Sequence, residues 1–189
     1  MKKYKVELRS KTPYMQHRMD DQKLEEWEKN RKLIIERDDV AKEDAMRAEF
    51  HSYQDEKGFY IPTEHIKGAL IGAGAMVKAK VGNSKKSMKN IVAAMFFIDE
   101  EKIRLPKEYE IDKRSAVNRN IKARVICIRP KWPKWNGTFT LSVDNDTITE
   151  ATIKEIIEHA GNYIGIGSFR PTNNGMFGRF ELQSFKKLN

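Results

Sequence analysis

Phe59-Tyr60-Ile61-Pro62-Thr63-Glu64-His65-Ile66-Lys67-Gly68-Ala69-Leu70 is the stretch on which the reading of the fold turns. Phe59 to Ile61 form one strand of a hairpin, with Phe50 to Gln54 as the other and Asp55-Glu56-Lys57-Gly58 between them. Pro62 and Thr63 open a helix, with Thr63 suited to the N-cap. Ile66, Ala69, Leu70, Ala73, Met76 and Val77 then fall on one face. Gly68, Gly72 and Gly74 interrupt this helix, each costing about 1 kcal/mol relative to Ala, so a backbone packed tightly against a sheet or a partner is expected.

Upstream, residues 2–9 alternate as a strand, with Tyr4, Val6 and Leu8 on one side and Lys3, Lys5, Glu7 and Arg9 on the other. The segment 20–49 is dense in both charge signs, and Leu24, Trp27, Ile34 and Ile35 give only a broken helical stripe. It reads as a charged helical insertion on the surface. Downstream, Lys78 to Lys89 is an exposed basic loop. Ile91 to Ile98 is a buried strand or helix turn, and Lys102–Leu105 a short strand. Ile121–Ile128 and Thr138–Val143 are strands joined across Pro130–Gly137, with 129–137 as a basic, aromatic hairpin tip. Thr147 and Glu150 form a capping box for a helix carrying Ile153, Ile156, Ile157 and Ala160, stopped by Gly161. A Gly-rich loop covers 165–178, and Arg179–Phe185 is the last strand. This order fits a single α+β domain over residues 1–189, an antiparallel sheet backed by helices.

Lys and Arg number 36 against 27 Asp and Glu, a formal +9, which attracts polyanions in a salt-sensitive way. A solvated surface with no such partner has the same sum. Cys127 stands alone between Ile126 and Ile128, so it forms no disulfide within the chain and no thiolate metal site, and a buried thiol in a reducing cytoplasm is expected. Met1-Lys2-Lys3-Tyr4-Lys5 leads into no apolar signal core, and no apolar run approaches the roughly 18 residues of a membrane span. A soluble, cytoplasmic protein without a membrane partner is the expectation. The loop Gly165-Ile166-Gly167 follows a helix and precedes a strand, the reverse of a dinucleotide fingerprint. Walker, His-Glu-x-x-His and nucleophile-elbow patterns do not occur, and His17, His51, His65 and His159 show no ligand spacing. No cofactor, metal or catalytic residue is assigned.

Three stretches carry the chemistry. Lys78, Lys80, Lys85, Lys86 and Lys89 alternate with Gly82, Asn83, Ser84 and Ser87, small residues that let backbone approach phosphates; a solvated loop would look the same. Lys113, Arg114, Arg119, Lys122 and Arg124 surround Asn118 and Asn120. Arg129-Pro130-Lys131-Trp132-Pro133-Lys134-Trp135 places rings beside cations, as a sequence-tolerant base-stacking site does. The alternative is a tip that folds its tryptophans back on the domain.

Two motifs carry a family resemblance. The 59–70 stretch resembles the "I-P-G-S-S-L-K-G-A-L-R" segment of the RAMP superfamily, which includes the repeated backbone subunits of CRISPR effector complexes. The loop from Gly165-Ile166-Gly167 to Gly178-Arg179-Phe180 is similar to that superfamily's C-terminal glycine-rich loop. Thr63-Glu64-His65 stands where the family usually has Gly-Ser-Ser. The resemblance implies a ferredoxin-like, RNA-recognition-type domain assembling head to tail along a nucleic-acid strand. It places Lys67, Gly68, Gly165, Gly167, Gly178 and Arg179 near the bound backbone. Arg170 lies in the same loop. A stand-alone relative, such as one encoded by a phage or prophage, fits the small size.

The function expected is non-catalytic binding of single-stranded DNA or RNA by a homo-oligomer, with Trp132 and Trp135 stacking on bases. The alternatives are a metal-independent endoribonuclease using His17 with Asp20 or Asp21, and a protein-interaction module that imitates an effector subunit through 20–49.

Overall fold

The computed structural model describes residues 1–18, 40–81, 84–118, 123–144 and 147–188. Its central layer is a four-stranded sheet built from β1 (Lys2–Ser10), β7 (Phe96–Ile98), β11 (Asn136–Val143) and β12 (Phe180–Leu188), in the order β12-β1-β11-β7. Every pairing in it is antiparallel, with Val6 opposite Phe139 on one side and Phe185 on the other. Alternation sends Tyr4, Val6, Leu8, Phe139, Leu141 and Val143 to one face, where they are buried. The other face is polar apart from the exposed Phe97 and carries the ion pairs Lys3–Asp99 (2.7 Å) and Arg9–Glu181 (2.5 Å).

Two helices cover the apolar face. The first follows the hairpin of β3 (Gln54–Asp55) and β4 (Gly58–Pro62) and spans Thr63–Met76. With the helix Val40–Phe50 counted as α1, it is α2. Ile66, Ala69, Leu70, Ala73 and Val77 are buried as the periodicity predicts, whereas Met76 points outward at 51% exposure. Thr63 begins the helix but does not cap it, because its hydroxyl donates to the Glu100 carbonyl (2.7 Å). After β5 (Lys78–Val81) and β6 (Ser84–Ser87) comes α3 (Lys89–Met95). The second covering helix, α4 (Glu150–His159), buries Ile153, Ile156 and Ile157. Its cap is Thr149, whose hydroxyl accepts from the Thr152 amide (3.2 Å), two residues beyond the expected Thr147. Gly161 does not end it either. A π-turn continues through Ala160–Ile164 to Gly165, and a Cβ on Gly161 would lie 2.1 Å from the Phe180 carbonyl oxygen.

A second sheet leans on this body, in the order β2 (Tyr14–Met15), β10 (Ala123–Trp132), β9 (Glu110–Asn118). Strands β9 and β10 form a long antiparallel arm, and α1 packs on it with Lys113 bonded to Asp44 (2.8 Å). Residues 40–49 of the expected insertion are therefore helical; residues 19–39 lie outside the described ones. Among the described residues, no helix is long and apolar enough to cross a membrane.

Two expectations are corrected here. The segment 129–137 is not a hairpin tip, since β10 pairs with β9 and β2 while β11 pairs with β1 and β7. It is the corner where the chain leaves one sheet for another. The basic stretch 78–87 is a two-stranded ribbon, β5 against β6, with Lys80 opposite Lys85.

Candidate nucleic-acid interface

The corner decides one prediction against the sequence. Trp132 and Trp135 are 0% and 1% exposed, so neither is available to stack on a base. The Trp132 indole N–H donates to the Pro106 carbonyl (2.9 Å) and that of Trp135 to the Thr12 carbonyl (3.4 Å). Tyr14 sits between the two indoles, its ring 6.1 and 5.9 Å from theirs, and Phe59, Tyr109 and Phe180 close the cluster. An amphipathic ring whose polar atom has a carbonyl acceptor loses nothing by burial, and two indoles fill a junction between sheets well. Lys134 stays exposed, and Lys131 pairs with Glu110 (2.8 Å).

The Gly-rich loop meets the first half of α2 in a cleft of about 600 Å³. Gly68 and Gly72 line it from the helix, Gly165, Gly167, Ser168 and Arg170 from the loop, and His17, Tyr53, Glu64 and His65 complete the wall. Residues near positions 68 and 165, expected to act together, thus share one concavity. Gly68 has open space where a side chain would begin. Gly167, at φ +74°, holds the loop against β2: its Cβ would lie 2.5 Å from the Met15 carbonyl oxygen, and the Ser168 amide donates to that same oxygen (2.8 Å).

Other expected residues serve the loop and not the cleft. The Arg114 guanidinium lies over Phe169 and Phe177 (5.3 and 5.2 Å) and grips the Asp112 carboxylate, tying the loop to the arm. Gly178 accepts the Ile166 amide on its carbonyl (3.0 Å), and Arg179 donates from Nε to the Asn162 carbonyl (3.2 Å). Lys67 does not face the cleft. Its ammonium donates to the carbonyls of Val92 (2.6 Å) and Phe96, closing the end of α3, and burial pushes its pKa down. Arg119 and Lys122 lie outside the described residues. Cys127 is half-buried on the arm, not enclosed as expected. Lys78, Lys80, Lys85, Lys86 and Lys89 are all exposed and make no ion pair among the described residues.

The histidines are what sequence reasoning left scattered. His17 and His51 stack at 4.3 Å between ring centroids. His51 donates from Nδ1 to the Arg18 carbonyl (2.9 Å), which only accepts, so its Nε2 is the bare nitrogen. The Tyr14 hydroxyl accepts from Gln16 Nε2 (3.5 Å) and shares a hydrogen bond with His65 Nδ1 (3.2 Å). Burial, then His51 and Arg129, hold the His17 pKa down to about 4. Burial lowers His51 and His65 as well, with Arg129 acting on the first and Arg170 on the second. All three imidazoles are neutral near pH 7. The one readable signal was that His65, Gly68 and Gly72 share a stripe at i, i+3 and i+7, running alongside the apolar face of α2.

Among the described residues, no group of His, Cys, Asp and Glu is placed to hold a metal ion. No protein-family model matches the chain, and no curated protein matches it.

Proposed function

We propose that this chain binds single-stranded nucleic acid without cutting it, seating the strand in the cleft between α2 and the Gly-rich loop, with copies lined up head to tail. The observation that carries this reading is the cleft wall. It gathers Arg170, histidines and bare glycine backbone, with Glu64 its only carboxylate among the described residues. Gly68 weakens its helix by about 1 kcal/mol and relieves no clash within the protein, as expected where another molecule's backbone must approach. The exposed lysines of the β5–β6 ribbon, which begins one helix length away, supply phosphate contacts. The polar face of the sheet carries ion pairs, which favours the cleft as the seat over the sheet surface. Strand order β12-β1-β11-β7, with α2 from the β1–β7 connection and α4 from the β11–β12 connection on one face, supports a ferredoxin-like core and kinship with the RAMP superfamily.

Equal lengths of single-stranded DNA, single-stranded RNA and duplex, titrated at two salt concentrations with particle size followed, test the reading. Salt-sensitive binding of one single strand, with assemblies that grow with its length, is expected. Gly68→Gln should weaken that binding at least tenfold without lowering thermal stability. No binding at low salt, or full affinity in Gly68→Gln, overturns it.

The contact of His17 with His51 beside this cleft favours a second reading, a metal-independent endoribonuclease. Asp20 and Asp21, its expected partners, lie outside the described residues. RNA cut in the presence of chelator would select it over the first.

A further inference from the structure

Among the described residues, Arg129 is a buried cation with no ion-pair partner. It is 9% exposed, and its Nε is enclosed with no hydrogen-bond partner. Among the described residues, its hydrogen bond runs from a terminal nitrogen to Ser168 Oγ (3.1 Å). The nearest carboxylate by register is Asp112, directly across the arm, and both of its oxygens are taken by Arg114. Arg129 makes no ion pair among the described residues. An unneutralised guanidinium in such a place is destabilising unless an anion answers it. The hydroxyl that accepts from Arg129 belongs to a residue of the cleft wall, and it retains its proton to donate outward. His17, also of that wall, is close enough to feel the charge of Arg129.

We propose that Arg129, Ser168 and the stacked pair His17 and His51 form a subsite for one phosphate group, at the end of the cleft nearest the arm. The inference rests on the strand-binding reading and names which part of the strand is held there. It has a consequence that simple lysine contacts lack. An anion at this position favours the imidazolium form, so binding takes up a proton. Arg129 opposes protonation of both histidines and Arg47 that of His51, the Arg18 carbonyl favours it at His51, and Arg170 and Glu64 act with opposite signs on the neighbouring His65. An incoming phosphate supplies the negative charge that offsets Arg129 and favours the imidazolium.

Two measurements on the full chain separate this subsite from the reading beneath it. In the first, inorganic phosphate is titrated at pH 6.0 while the imidazole resonances are followed by NMR. His17 and His51 should move and His159 should not; Arg129→Met should abolish the movement, and Arg129→Lys should keep part of it. In the second, oligonucleotide affinity is compared at pH 5.5 and 7.5. The wild type should bind about tenfold tighter at the lower pH and Arg129→Met should show little change. Histidines unmoved by phosphate, or an equal pH dependence in Arg129→Met, overturn the subsite and leave strand binding standing. Phosphate-dependent shifts without any oligonucleotide binding overturn strand binding and keep the anion site. If Arg129→Met does not fold, Arg129→Lys decides: wild-type shifts and wild-type pH dependence in it also overturn the proposal.

Discussion

The corner at 129–137 and the ribbon at 78–87 are written in much the same alphabet, cations set among residues that favour turns, and they face opposite ways. In the corner the rings lie in the core, each indole N–H has a carbonyl acceptor, and Arg129 is drawn in with them. In the ribbon Lys80 and Lys85 stand directly opposite each other in solvent. The difference lies in what neighbours offer. A strand that must cross from one sheet to another leaves a gap between them, and large rings with one polar atom fill it. An ammonium has no apolar end to bury and stays in water unless carbonyls collect around it, as they do around Lys67. Aromatics beside cations therefore mark a sheet-to-sheet corner as readily as a base-stacking surface.

The sharpest way to break this contrast is Trp132→Ala. Loss of 3–5 kcal/mol of stability, roughly the cost of deleting a buried ring, is expected in urea unfolding, with the folded fraction binding strand as before. Retained stability with lost binding would return the tryptophan to the interface. Within the cleft, Gly167→Ala should cost about 2 kcal/mol, from its positive φ and its approach to Met15, whereas Gly68→Ala should raise stability by up to about 1 kcal/mol. Calorimetry on the two variants would show opposite shifts. Replacing Lys80, Lys85 and Lys86 by Gln should leave stability within about 0.5 kcal/mol. If all three meet phosphates, it should flatten the salt dependence of binding by about 2 in log–log slope. The smallest effect concerns pH. His17, His51 and His65 are all held below the ordinary histidine range, so the unfolded chain takes up protons first. Their neutral-state contribution is complete above about pH 6.5 and is lost as pH falls toward 4, and a urea midpoint followed over that window should decline less in His17→Asn.

The hairpin at 54–62 and helix α2 were legible because turn residues and a 3.6-residue period announce them. Strand β9 was not. Its Asp112 and Arg114 pair with each other beneath the Gly-rich loop, and Lys113 finds Asp44 on α1, so charge that reads as solvated surface is neutralised by tertiary contacts. The cap at Thr149 was misplaced because a threonine two residues earlier fits the same pattern. Half of the cleft could be read, since Gly68, Gly165, Gly167 and Arg170 stand in two local motifs. His17 and Tyr53 belong to no local pattern, and only the meeting of β2, the β3 hairpin and the loop brings them to the cleft.

The grip of Arg114 on Phe169 and Phe177 has a mechanical side. It couples the arm to the rim of the cleft as a rod is coupled to a latch, so that force applied along β9 and β10 is delivered at the loop's mouth. Strain in the arm would thus be felt at the wall of a cleft that the arm does not line.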